Sequence, residues 1–161
     1  MDIKPGQALD RLRKGNERFT SGLRSVDSVV STLKLAELAE KGQSPFAIIL
    51  TCADSRVPAE ILFDQGAGSL FVIRVAGNVV APSLLASIEF AALNFKTPLC
   101  LVMGHTDCGA IKAALQQHEH AEPLTQSLEE LMERIQPAVR GAFAHATPDT
   151  SPKELIRDAT V

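Results

Sequence analysis

The sequence has no tryptophan and no tyrosine, and seven phenylalanines are its entire aromatic complement. Any aromatic stacking platform would be built of phenylalanine alone. Basic charge is also scarce: 16 Lys and Arg stand against 19 Asp and Glu, for a net charge of −3. That balance argues against a nucleic-acid surface. No apolar run approaches the roughly 18 residues of a membrane helix, so no membrane partner is expected. The opening stretch, MDIKPGQALDRLRKGNERF, is polar where an export signal needs an apolar segment, which predicts a cytoplasmic protein. Cysteine is sparse and odd in number: Cys52, Cys100 and Cys108. A disulfide framework is therefore not expected, and metal-binding or catalytic roles gain weight.

The chain has 161 residues, 45% of them hydrophobic, which suits a single globular domain. There is no internal repeat and no low-complexity tract. QALDRLRKGNERF sets Ala8, Leu9, Leu12 and Phe19 at helical spacing, and SVVSTLKLAELAEKG predicts a second helix stopped by Gly42. FAIILTC (46–52), SLFVIRVAG (69–77) and PLCLVMGH (98–105) are short apolar runs that predict strands buried on both faces. Between the last two, APSLLASIEFAALNF predicts a helix with Pro82 early and a stripe of Leu84, Leu85, Ile88, Ala92 and Phe95. Helical patterns return in AIKAALQQH and in LTQSLEELMERIQPAVRGAF, where Pro137 is expected to kink or end the element. Ser151–Pro152 reads as a cap and first turn of a last helix.

Strands alternating with helices predict an α/β fold of three layers, a mainly parallel sheet flanked by helices. Such sheets bind ligands beyond the carboxyl ends of their strands. Cys52 closes the first apolar run, and His105 closes the third, with Cys108 on the first turn of the next helix. If those strands are neighbours, both motifs open onto one crevice. A zinc ion takes thiolates and imidazole in tetrahedral geometry, and catalytic sites use three protein donors with a fourth position left for water or substrate. Cys52, His105 and Cys108 supply that count, with Gly104 and Gly109 allowing tight turns and the helix N-terminus favouring a thiolate at Cys108. A cysteine nucleophile with a histidine base is the metal-free alternative. Cys100, alone in its strand, reads as a small core residue. Asp54 and Arg56 follow Cys52 closely enough to form a charge-assisted pair. That pair is either an ordinary surface ion pair or, beside a metal, a device that keeps the carboxylate off the ion and lets it accept a hydrogen bond from metal-bound water and help remove its proton.

Three segments carry a resemblance: CADSRVPAEILFDQGAGSLFVIRVAGN, then SIEFAALNF, then VMGHTDCGAIKAAL. Together they closely resemble the β-class carbonic anhydrases, most strongly from Gln43 to Leu115. The resemblance implies zinc held by Cys52, His105 and Cys108, one ion per chain, with Asp54 and Arg56 as the catalytic dyad. It places Gln43, Phe71 and Gly109 at the substrate. It implies reversible hydration of carbon dioxide to bicarbonate and a proton, in a homodimer or tetramer whose N-terminal helices pack on a partner subunit. Two thiolates cancel the charge of the ion, so turnover should rise with pH through the alkaline range. The same fold also hosts hydrolysis of carbon disulfide or carbonyl sulfide in some relatives, and a catalytically silent zinc protein is a further alternative.

The chain departs from the family pattern in places. Val75 in RVAGN replaces a polar residue, and Phe90 replaces a tyrosine. Without Trp or Tyr, the regulatory bicarbonate pocket that some members build from them cannot form in that way. This favours a site in which Arg56 holds Asp54 away from the zinc. Family members also continue with further strands, so residues 1–161 are expected to be one β-carbonic anhydrase-like domain that is incomplete at its carboxyl end.

Overall fold

The computed structural model of the chain describes residues 3–25 and 31–160. Its elements run α1 (Pro5–Thr20), α2 (Thr32–Lys41), β1 (Ala47–Cys52), α3 (Ala59–Leu62), β2 (Leu70–Val75), a 3-10 turn (Ala76–Asn78), α4 (Pro82–Asn94), β3 (Cys100–Met103), α5 (Gly109–Glu119), α6 (Gln126–His145) and α7 (Pro152–Asp158). Residues 28–30, which began the expected second helix, lie outside the described residues. That helix starts at Thr32, where the Ser31 hydroxyl accepts from the Lys34 amide, and it ends at Gly42 with φ 79°.

The sheet has three parallel strands in the order β2-β1-β3. β1 is central, and all six of its residues are buried. Its side chains alternate between two faces, as strand geometry requires. Ala47 and Ile49 meet Ala8 and Leu12 of α1 and Ala59 of α3, whereas Ile48 and Leu50 meet Ile73 and the α4 residues Leu84, Ile88 and Ala91. The expected layering of helices on both faces of the sheet is therefore observed. A third apolar cluster joins Cys52, Val57, Val79 and Cys108 at the carboxyl end of the sheet to α5, α6 and α7. The Thr51 hydroxyl, fully buried, donates to the Met103 carbonyl at 3.1 Å and ties β1 to β3 just below the strand tips.

Contact between α1 and the turn after α3 is close. A Cβ on Gly15 would sit 1.7 Å from the Phe63 carbonyl oxygen, so only glycine admits this approach. Asn16 donates to the Leu62 carbonyl at 3.0 Å, and the Asp64 side chain, wholly buried, takes Arg18 Nε at 2.5 Å.

Several expectations need correction. Only β1 is buried along its length; β3 is an edge strand with Cys100 and Val102 exposed, because no described strand lies beyond it. Cys100 is thus not a core residue. The buried stripe of α4 is Leu84, Ile88, Ala91 and Phe95, with Leu85 and Ala92 turned outward. Pro137 does not end α6, which runs on to His145, since Met132 and Ile135 before it and Val139 and Ala142 after it belong to one buried face. Ser151 does cap α7, its hydroxyl accepting from the Glu154 amide. Among the described residues, no helix is long and apolar enough to cross a membrane.

Candidate metal centre

β1 and β3 lie side by side and parallel, so the chain leaves both at the same edge of the sheet. Cys52 is the last residue of β1, His105 lies two residues past the end of β3, and Cys108 is the N-cap of α5. Their ligand atoms all lie within 4.8 Å of one another. The two sulfurs are 4.0 Å apart. A tetrahedral zinc with Zn–S bonds of about 2.3 Å sets its sulfurs roughly 3.8 Å apart. Cys52 and Cys108 are 4% and 1% exposed.

His105 carries the sharper sign. Its Nδ1 lies 3.0 Å from the Thr106 carbonyl oxygen, which can only accept, so Nδ1 donates and Nε2, the acceptor of that tautomer, is the atom turned inward. That Nε2 is buried without a hydrogen-bond partner. An orphaned buried acceptor is costly, on the order of 1–3 kcal/mol. A cation between Nε2 and the two sulfurs removes the penalty, so the three donors fit zinc. Burial pushes the Cys108 thiol up, against the amides of Ile111 and Ala110 that pull it down. The amides at the helix N-terminus therefore favour the Cys108 thiolate, as the sequence suggested, but burial outweighs them.

Asp54 and Arg56 stand beside this trio. Arg56 donates from Nε to Oδ1 at 2.9 Å and from Nη2 to Oδ2 at 2.8 Å, and its backbone amide donates to Oδ1 at 2.9 Å. This fork, with the amide second, holds the Asp54 carboxyl well below the usual carboxylate range. Asp54 Oδ2 lies 3.9 Å from His105 Nε2, so the carboxylate faces the donors without joining them. Arg56 Nη2 also donates to the Asp107 carbonyl at 3.1 Å, linking the loop after β1 to the loop after β3. Asp107 has a left-handed backbone (φ 60°), and its carboxylate pairs with Lys112.

A scan of family models matches residues 47–161 to the carbonic anhydrase family. The chain belongs to the β-carbonic anhydrases. It is 44% identical over 138 residues to carbonic anhydrase 2 of Mycobacterium tuberculosis, an alignment covering 86% of this chain and 66% of that protein. This β-carbonic anhydrase chain therefore spans just under two thirds of the length of that curated relative. Its fold is similar to the solved β-carbonic anhydrase CcaA, with 27% identity and a TM-score of 0.64 over 94% of this chain and 73% of that one. It is also similar to one of two tetrameric β-carbonic anhydrases of Sordaria macrospora, with 26% identity and a TM-score of 0.66 over 78% of this chain and 63% of that one.

The structure brings together five of the residues singled out from the sequence: Cys52, His105, Cys108, Asp54 and Arg56. Gly109 adjoins them as the first residue of α5, although a Cβ there would meet nothing within 4 Å and its backbone needs no glycine. Gly104 is the tighter position, where a Cβ would lie 2.7 Å from Thr160 Cγ2. Gln43 and Phe71 lie elsewhere within the chain. Gln43 is exposed before the start of β1, and Phe71 pairs with Ile48 near the amino end of the sheet, its ring against Phe90 and Phe95. Sequence reasoning missed Arg74. It stands on β2 opposite Thr51, and its guanidinium donates to the Cys52 carbonyl at 3.1 Å and to the Asp54 carbonyl at 2.6 Å. Only the β1–β2 register, invisible in the sequence, sets it there.

Proposed function

We propose that this chain is a zinc enzyme for the reversible hydration of carbon dioxide to bicarbonate and a proton. The reading rests on one observation above the rest: two buried sulfurs and an orphaned imidazole nitrogen converge beside a carboxylate clamped by arginine. Cys52, His105 and Cys108 would hold the zinc, which would supply Lewis-acid activation of water. The protein's own residues then orient and exclude. Asp54 accepts a hydrogen bond from the reacting water and aims its lone pair. Because Arg56 keeps the carboxyl strongly acidic, Asp54 orients that water rather than storing its proton, which passes on to solvent or buffer. Val57, Val79 and Ile111, all buried in the cluster around Cys52 and Cys108, form an apolar wall suited to a small apolar gas.

In this proposal Gly109 borders the substrate, whereas Gln43 and Phe71 act on the substrate of a neighbouring copy across a subunit contact. The working unit is a homodimer or a pair of dimers. Supporting it, α2 buries none of its residues, Leu33 is 82% exposed, and Phe90 and Leu93 of α4 also face outward. All three cysteines are free, which suits the reducing cytoplasm.

The test is zinc content per chain and carbon dioxide hydration measured on one preparation, with carbon disulfide and carbonyl sulfide as parallel substrates. One zinc per chain with hydration is the expected result. Zinc without turnover of any of the three gases would leave a structural zinc protein, and turnover confined to the sulfur gases would make it a hydrolase. No observation in the fold favours either alternative.

A further inference from the structure

Two arginines hold Asp54, and they hold different parts of it. Arg56 takes the carboxylate, while Arg74 takes the main chain on both sides of Ala53. Its Nε donates to the Cys52 carbonyl at 3.1 Å and its Nη2 to the Asp54 carbonyl at 2.6 Å. The Ala53 amide adds a bond to the Val75 carbonyl at 3.1 Å, so β2 grips this loop through neighbouring residues. The grip matters because the carboxylate has little distance to travel: Oδ2 is already 3.9 Å from His105 Nε2. A free carboxylate is itself a zinc donor. A carboxylate released from the Arg56 fork would then compete for the metal's open position.

We propose that Arg74 is the positioning residue that keeps this position open, by pinning the Cys52 and Asp54 carbonyls so that the Asp54 carboxylate stays on Arg56. The proposal rests on the zinc-enzyme reading for its effect on rate, but not for its effect on the geometry. The planar guanidinium is suited to two acceptors at once, a geometry that a lysine ammonium reproduces poorly. The side chain of Arg74 reaches none of the three ligand atoms; it acts through the main-chain carbonyls of Cys52 and Asp54.

The experiment compares wild type, Arg74→Ala, Arg74→Lys and Arg74→Ala combined with Asp54→Asn, each loaded with cobalt in place of zinc. The readout is the visible spectrum titrated with azide, which needs an accessible metal position. Arg74→Ala should retain one metal per chain and bind azide about tenfold more weakly, the result of a closed state holding roughly nine tenths of the population. Adding Asp54→Asn should restore azide affinity, because it removes the competing carboxylate. Arg74→Lys should fall between wild type and Arg74→Ala. Hydration by the zinc form of Arg74→Ala should drop on the order of 10- to 100-fold in kcat, with KM little changed.

Wild-type azide affinity in metal-loaded Arg74→Ala overturns the proposal, and so does weakened affinity that Asp54→Asn fails to restore. Should Arg74→Ala not fold, Arg74→Lys decides, and wild-type affinity there overturns it equally. A wild-type protein that binds azide as expected but hydrates nothing would sink the functional reading while leaving the role of Arg74 standing.

Discussion

Asp54 and Asp64 both pair with arginine, and their surroundings give the two pairs different uses. The Asp64 side chain is 0% exposed, and it receives Arg18 and Arg24 together with the Ser25 amide. Its partners come from α1 and the segment after it, far away in sequence, so the carboxylate fastens that segment to the core. The Asp54 side chain is 21% exposed, and its principal partner is Arg56, two residues away. Its carboxylate is kept ionised, oriented and within reach of the three candidate metal donors. Burial of Asp64 makes the first pair structural, because losing its arginines would strand the carboxylate away from water. Partial exposure leaves the second free to meet a solvent molecule, and contributes little to folding.

That contrast can be broken or sharpened by measurement. The largest effect is expected at the donors on which Asp54 depends. Cys52→Ser should lose zinc and with it all hydration, and a variant retaining one zinc per chain would remove Cys52 from the centre. Next comes Asp54→Asn, which should keep zinc and the wild-type melting temperature yet lose activity by roughly 10²- to 10⁴-fold. Equal activity in that variant would take the dyad out of the mechanism. Asp64→Ala should do the converse, costing about 1–3 kcal/mol of stability in urea unfolding through its lost charge-assisted hydrogen bonds while the folded fraction still binds one zinc per chain. A loss below about 1 kcal/mol would make the two pairs alike after all.

The smallest effect is on pH dependence. Arg56 lowers the folded-state pKa of Asp54, so the carboxylate stays ionised throughout the range from about pH 4 upward. The contribution of this pair to stability is present above the unfolded carboxylate pKa and fades only as pH falls toward the folded value. Any rise in turnover between pH 6 and 9 must therefore come from another group, and Asp54→Asn should lower the whole profile without moving its midpoint. A profile flat from 6 to 9 would contradict the expected weak pull of a dithiolate zinc on water, and a shifted midpoint would assign the titration to Asp54.

Much of the architecture was legible beforehand because it is local. The Ile-rich run ending at Cys52, the Pro82 helix start, the Gly42 stop and the Ser151 cap each depend on residues a few positions apart. Pro137 does not end α6, because a buried face shared by its two halves carries the helix past a local breaker. β3 and Cys100 misled because an apolar run looks the same at the centre of a sheet as at its edge. Arg74 was unreadable for a related reason: its partners are carbonyls on a neighbouring strand, and backbone acceptors leave no trace in side-chain identity.

The sequence by itself determined which chemistry is available: two thiols, one imidazole and an Asp–Arg pair, each placed where a strand gives way to a turn. The tertiary structure alone decided that these groups meet, by laying β1 beside β3 in parallel so that both turns open at one edge. It alone also decided which aspartate is sealed in and which faces the donors. Distances across a sheet are set by register and burial, and neither is a property of any one segment of chain.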